Sequence, residues 1–300
     1  MSQNTVVISG ATGHVGGALA RLLLDRGQRV RVIGREVARL QPLVKAGAEA
    51  HVGSADDAAF LTRAFTGATA AFALIPPDPG AANFRAYQNR IAEAYATALG
   101  KAGVTHLVNL SSLGAHLPSG TGPIAGLHDA EQIFNRLEGV HIVHLRPTYF
   151  MENHLYGIGM IKGMGIYGSP MRSDVRLPQI ATRDVAAEAA RLLAEPSFAG
   201  HTTRELLGAA DLNMVEVTRT LGHAIAKPDL AYVQFPYAEA RKAMLGMGMS
   251  ESVADAMVEM NRAFNEDAIK PSAPRSPANT TPTTLEEFAR TVFAPAFKTS

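Results

Sequence analysis

The stretch from Val6 to Leu24, VVISGATGHVGGALARLLL, joins a short β-branched run to a glycine-rich turn and then to an amphipathic segment. Val6–Ser9 has the Val and Ile content of a buried strand. Over Val15–Asp25 the apolar residues Val15, Leu19, Leu22 and Leu23 recur at helical spacing, and Gly27 stands where a glycine closes a helix. Two readings of the intervening Gly10-Ala11-Thr12-Gly13-His14-Val15-Gly16 are open: a tight turn between strand and helix, or a phosphate site. In the second, Gly10 permits the turn, and Thr12 and Gly13 leave the backbone open to a pyrophosphate. The helix starting at His14 or Val15 would aim unpaired N–H groups and its positive dipole end at that anion. Gly16, with Gly17, would let the helix pack close to the strand. The spacing is G-x-x-G-x-x-G and not G-x-G-x-x-G, so the surrounding pattern must carry the argument.

That pattern is an alternation of strand and helix. Val30–Ile33, a short run near Ala50–Val52, Ala70–Ile75, Leu107–Leu110 and Ile142–Leu145 read as strands two to six. Val37–Ala46, a segment capped by Asp56 or Asp57 and running to Phe65, and Ala81–Lys101 read as helices. Such alternation predicts an α/β fold: a doubly wound parallel sheet of the Rossmann type with helices on both faces. After Pro147 the pattern changes. Met151–Val175 holds six glycines or prolines and four methionines and reads as loop-rich. Arg183–Ala194 is a helix with Asp184 in its first turn, and Arg204–Leu207 is a candidate further strand. Met214–Ala226, Tyr237–Gly246 and Ser250–Phe264 read as helices and Asp267–Pro282 as an extended connector. Thr284-Leu285-Glu286-Glu287 is a capping-box pattern opening a last helix. The expected division is a dinucleotide-binding domain over 1–150, with 183–208 returning to it, and a smaller, mostly helical substrate lobe over 151–300.

The end of the second strand selects between nicotinamide cofactors. Ile33-Gly34-Arg35-Glu36 puts Arg35 first, with Arg39 one helical turn on. Both suit a 2′-phosphate, so NADP(H) is the preferred cofactor. Glu36 could instead accept from a ribose hydroxyl, which keeps NAD(H) possible. A solvated helix start is the plain alternative.

In their order, Gly10–Gly16, Gly34-Arg35, Asn109-Leu110-Ser111-Ser112 and Leu145-Arg146-Pro147-Thr148-Tyr149-Phe150-Met151-Glu152-Asn153 resemble the NmrA-like branch of the atypical short-chain dehydrogenases. Asp184-Val185-Ala186-Ala187 and the Gly208 region with Glu216–Gly222 extend the likeness over nearly the whole chain. The resemblance implies a Rossmann-type domain, NADP(H) or NAD(H) binding and a small C-terminal substrate lobe. It covers quinone and dye reductases, isoflavone-type reductases and redox-sensing regulators without turnover. One departure is Gly53-Ser54, where the family often has Gly-Asp and an adenine contact.

Typical short-chain dehydrogenases use Tyr-x-x-x-Lys to protonate an alkoxide. None of Tyr87, Tyr95, Tyr149, Tyr156, Tyr167, Tyr232 and Tyr237 has a lysine four residues on. If Glu131 matches the family's helix glutamate, Ile124 and His128 occupy the tyrosine and lysine places. Reduction of a quinone-like or conjugated acceptor remains open, because a hydroquinone anion is far less basic than an alkoxide and needs little acid assistance. His128, Ser112 and Tyr149 are the catalytic candidates. Gly10, Thr12, Gly13, His14, Val15, Gly16, Arg35, Arg39 and Ser111 are the cofactor-binding candidates, with Ile75 where the fourth strand stops at Pro76-Pro77. Phe150 and Asn153 are candidates for the acceptor pocket. Each has a plainer reading: a surface histidine, turn-capping serines, aromatic contacts between lobes.

Other chemistries fit less well. The chain has no cysteine, which removes disulfides and thiolate catalysis. His141-x-x-His144 lies on an expected strand, where residues three apart face opposite ways, and no metal site is expected. There is no Gly-x-Ser-x-Gly elbow. The methionines from Met244 to Met260 suit core or a pliable pocket wall. A net charge of +1 without a basic block gives no footprint for nucleic acid. Met1–Thr5 runs directly into the first strand without a signal-like segment, and no apolar stretch is long enough for a bilayer. A cytoplasmic protein, monomer or homodimer, acting on a small-molecule acceptor is the expectation. The regulatory, non-catalytic cofactor sensor is its alternative.

Overall fold

Strong local signals set most of the elements, and their arrangement brings one edge of the sheet to a point. A computed structural model describes residues 4–300, so Met1–Gln3, part of the N-terminal reading, lie outside the described residues. The chain runs β1 (Thr5–Ile8), α1 (His14–Asp25), β2 (Arg29–Gly34), α2 (Val37–Lys45), β3 (Glu49–Val52), α3 (Ala58–Phe65), β4 (Ala70–Leu74), α4 (Phe84–Ala102), β5 (His106–Leu110), α5 (Pro123–Phe134) and β6 (His141–Pro147). Asp57 caps α3 by accepting the Phe60 N–H at 2.9 Å, and Asn83 caps α4 through the Ala86 N–H at 3.0 Å. Such caps satisfy helix donors that the first turn leaves unpaired.

The second half continues β7 (Tyr149–Phe150), a 3-10 turn (Met151–Gly157), α6 (Ile158–Met164), β8 (Ile166–Ser169), β9 (Leu177–Ile180), α7 (Thr182–Ala194), β10 (His201–Leu206), β11 (Ala210–Leu212), α8 (Met214–Ala224), β12 (Ala231–Gln234), α9 (Tyr237–Gly246) and α10 (Glu251–Asn265). A final helical segment spans 285–299. The loop-rich reading of 151–175 is therefore corrected. Within that segment stand the 3-10 turn, α6 and β8, and β8 is held by a distant partner, β12; on either side of it β7 pairs with β9, which also pairs with β11. The Thr284 cap is only half of a box. Thr284 accepts the Glu287 N–H at 3.2 Å, but the Glu287 carboxylate faces Arg183 at 2.5 Å.

Seven strands form the central sheet in the order β10-β6-β5-β4-β1-β2-β3, every neighbouring pair parallel. The chain builds outward from β1 to β3, then crosses to the other side of β1 for β4. The carboxyl ends of β1 and β4 thus diverge at a switch point, where such sheets open a crevice. One face is covered by α1 and α7, with Leu19, Leu23, Val185 and Ala189 inaccessible to solvent. The other is covered by α3, α4 and α5 through Leu61, Ile91, Leu99 and Phe134. Each large side chain buried this way contributes about 1.5–3 kcal/mol. A third core, including Met151, Tyr167, Val217, Phe264 and Phe288, lies in the second half and reaches Leu113 and Ile124 beside the sheet's carboxyl edge. The connector after α10 is tied down where Asp184 accepts from the Thr283 N–H at 3.0 Å and its hydroxyl at 2.6 Å.

Candidate active site

Ser9 fastens the carboxyl end of β1 to β4: its hydroxyl donates to the Phe72 carbonyl at 3.0 Å and accepts the Leu74 N–H at 3.1 Å. Gly10 follows with φ +65°, and a Cβ there would stand 2.4 Å from the Leu74 side chain. The chain then closes a turn in which the Gly13 N–H donates to the Gly10 carbonyl at 3.0 Å. Gly13 is the N-cap of α1. No side chain caps this end, and no acidic residue sits in the first turn. The first-turn N–H groups have no side-chain acceptor and suit an anion. A Cβ on Gly16 would approach the Gly10 carbonyl to 2.5 Å. The close packing that this glycine permits is helix against loop backbone, not helix against strand. A Cβ on Gly13 would meet only the Gly10 carbonyl, at 3.4 Å.

A cleft of about 630 Å³ starts at this loop and runs along the carboxyl edge of the sheet. One end is lined by Gly10, Thr12, Gly13, His14, Val15 and Gly16, with Arg35 and Arg39 beside them. Ile75, Ser111 and Ser112 line the middle, and Tyr149, Phe150 and Asn153 the far end. Glu36 is not in the lining; it sits 3.9 Å from Arg39, one helical turn away. A recess of about 280 Å³ shares Gly10, Thr12 and Arg35 and continues to Gly34, Gly53, Ser54 and Tyr87. Gly53 is packed against the Phe60 ring, 2.6 Å from where a Cβ would stand.

His128 stands apart from the cleft lining. Its Nδ1 lies 2.9 Å from the Ala115 carbonyl, and α5 presents Ile124 and Leu127 to the cleft instead. Neighbouring positions on a helix point about 100° apart, so one step of registration exchanges a titratable side chain for an apolar one. Ser112 donates to the Leu113 carbonyl at 3.0 Å. Burial holds the Tyr149 phenol well above its ordinary value, and its hydrogen bond with Asn153 offsets only part of that. His141 and His144 do face opposite ways. His144 is buried and held by Asn109 and Asn135 at 3.0 Å each, while the His141 ring lies tilted against His106, 5.1 Å between centroids.

Several lining residues carry no local signal in the sequence. Met260 and Phe264 arrive from α10, more than a hundred residues beyond the last cofactor-side motif, and close the far wall with Leu113 and Ile124. Glu152, within the motif that contains Tyr149, accepts the Thr182 N–H at 3.0 and 3.1 Å and its hydroxyl at 2.6 Å, which pins α7 to the cleft floor. Tyr156 stands at the rim, 90% exposed. The cleft therefore has a cationic, amide-rich end suited to phosphates and an apolar, aromatic end suited to a flat organic molecule.

A glycine turn at the switch point of a parallel sheet, opening on such a cleft, defines a Rossmann-type α/β protein. The chain belongs to the NmrA-like family, whose model matches residues 2–289. It is 29% identical over 257 residues to an NAD(P)H azoreductase of Xenophilus azovorans, covering 85% of each chain. It is 31% identical over 242 residues to a (4-alkanoyl-5-oxo-2,5-dihydrofuran-3-yl)methyl phosphate reductase of Streptomyces griseus, covering 80% of each. Among solved structures it superposes with a TM-score of 0.80 on the NADPH-dependent quinone oxidoreductase QOR2 of Escherichia coli complexed with NADPH. That match has 21% identity and covers 96% of this chain and 99% of the other. At that identity the likeness speaks for the fold.

Proposed function

We propose that this protein is an NAD(P)H-dependent reductase, NADP(H) preferred, that passes hydride to a quinone-like or otherwise conjugated small-molecule acceptor. The observation that carries the reading is the single cleft that joins the glycine loop and Arg35 to the wall of Tyr149, Phe150, Met260 and Phe264. The reductase activities named for the two curated relatives support it. In this reading 1–150 holds the dinucleotide, with 183–208 completing its sheet, and the lobe built from 151–300 closes over the acceptor.

The residues fit a dinucleotide. The backbone of Gly10–Gly16 takes the pyrophosphate on the α1 N-terminus, and Arg35 with Arg39 takes a 2′-phosphate. When bound, the reduced nicotinamide supplies the hydride. Ser111 and Ile75 would hold the nicotinamide half, and Phe150 and Asn153, further along the same lining, would orient the acceptor, so that orientation would provide most of the rate. A quinone that takes up hydride becomes a hydroquinone monoanion, and the one proton that completes the hydroquinone comes from solvent. Tyr149 has its phenol locked in the neutral form and serves as a hydrogen-bond donor to the developing anion rather than as a strong acid. Ser112 shapes the loop at the same place. His128 receives no role.

The test is anaerobic oxidation of NADPH by purified protein with a panel of small quinones, azo dyes and conjugated lactones, followed by nicotinamide absorbance. Turnover with these acceptors and none with simple ketones is expected. Tight NADPH binding with no turnover across the panel would replace this reading with that of a cofactor sensor.

A further inference from the structure

Beneath the cleft lies a buried charged pair that the mechanism above does not use. Glu131, in the last half of α5, is 2% exposed. Arg146, on β6, grips it in a two-point contact, with Nε at 2.9 Å from Oε1 and Nη2 at 2.5 Å from Oε2. Oε1 also accepts the Ser111 hydroxyl at 2.5 Å. A buried ion pair of this kind adds little net stability over apolar side chains of the same volume, because both ions are stripped of water. What this pair does achieve is geometric. Ser111 follows β5 directly, lines the cleft and is itself nearly buried. Its only proton is committed to a carboxylate that cannot turn, because the guanidinium fork holds both oxygens. A hydroxyl that has given its proton inward can only accept from the cleft side.

We propose that Glu131 and Arg146 are positioning residues that hold Ser111 as an acceptor toward the amide N–H of the nicotinamide carboxamide. A freely rotating serine would meet either end of the carboxamide, its N–H₂ or its carbonyl. A serine fixed as acceptor meets only the N–H₂ and so sets which way the carboxamide is turned. The proposal rests on the dinucleotide reading and extends it to two residues that never touch the ligand.

The experiment measures binding, not turnover. Titration calorimetry compares NADP⁺, its 3-acetylpyridine analogue, which lacks the amide N–H, and adenosine 2′,5′-bisphosphate, which lacks the nicotinamide half. The parent protein should prefer the carboxamide over the acetyl form by about five- to ten-fold, the worth of one hydrogen bond to a polarised acceptor. Ser111→Ala should remove that preference and leave adenosine 2′,5′-bisphosphate binding unchanged. Glu131→Gln alone strands the Arg146 charge, so the paired Glu131→Gln/Arg146→Gln variant is used, with a thermal melt as the check on folding. It should remove the same preference, and it should change nothing further once Ser111 is alanine, the non-additivity expected of groups that act through one another. A parent protein that binds both dinucleotides equally, or a neutralised pair that still weakens NADP⁺ without the Ser111 hydroxyl, would overturn the proposal alone. Failure to bind either NADP⁺ or NAD⁺ would overturn the dinucleotide reading with it.

Discussion

The three loop glycines serve different masters, and Gly13→Val separates them. Gly13 has φ −95° and ψ 176°, extended backbone that a β-branched residue adopts readily. Its new Cβ would meet only the Gly10 carbonyl, at 3.4 Å. Loss of a favourable N-cap glycine costs about 1 kcal/mol, or about 2 °C in melting temperature for a chain this long. The isopropyl group, however, stands in the mouth of the cleft where the first-turn N–H groups of α1 point. Two charge-assisted hydrogen bonds to a phosphate, each about 1.5–3 kcal/mol, would go unmade. Affinity for NADPH should therefore fall by at least about a hundred-fold while the fold persists. Gly16→Ala is the contrast: its Cβ would be 2.5 Å from the Gly10 carbonyl, so it should lower the melting temperature as well. Calorimetry with NADPH alongside thermal melts of both variants is the assay. A folded Gly13→Val protein that binds NADPH as the parent does would refute the reasoning and leave the loop an ordinary turn.

Arg35→Ala should weaken NADPH about ten-fold or more and leave NADH nearly unchanged, the loss of one charge-assisted phosphate contact; equal dissociation constants for the two cofactors in the parent would argue against this role. His128→Ala should leave both NADPH affinity and quinone turnover within about two-fold, because its ring is tied to Ala115 outside the cleft; a large drop in kcat would reverse that assignment. Stability should fall with acid before the carboxylates titrate. Burial holds His144 and His154 down to about 4, against about 6.5 unfolded, so between those values the unfolded chain binds protons that the folded one refuses. Each contributes a loss of about 1.4 kcal/mol per pH unit as pH falls below about 6.5, and a denaturant midpoint unchanged from pH 7 to pH 5 would contradict this.

What could be read from the sequence is what is decided locally. The strand from Thr5, the turn at Gly10 and the helix from His14 follow from β-branched residues, one position that needs φ above zero and an apolar period of helical spacing, all within twenty residues. The cofactor end of the cleft sits on that unit and on Gly34-Arg35, so the candidates there share one lining. The acceptor end depends on pairings far apart in the chain. Tyr149–Phe150 is a strand because Gln179–Ile180 lies beside it, and within the run of glycines, prolines and methionines read as loop Ile166–Ser169 is one because Ala231–Gln234 pairs with it. Met260 and Phe264 reach the cleft because α10 folds back across it. His128 misses it because α5 turns Leu127 inward instead. Glu131 gains its meaning only where the carboxyl ends of β5 and β6 lie side by side, and no spacing along the chain can report which hydroxyl a buried carboxylate will hold.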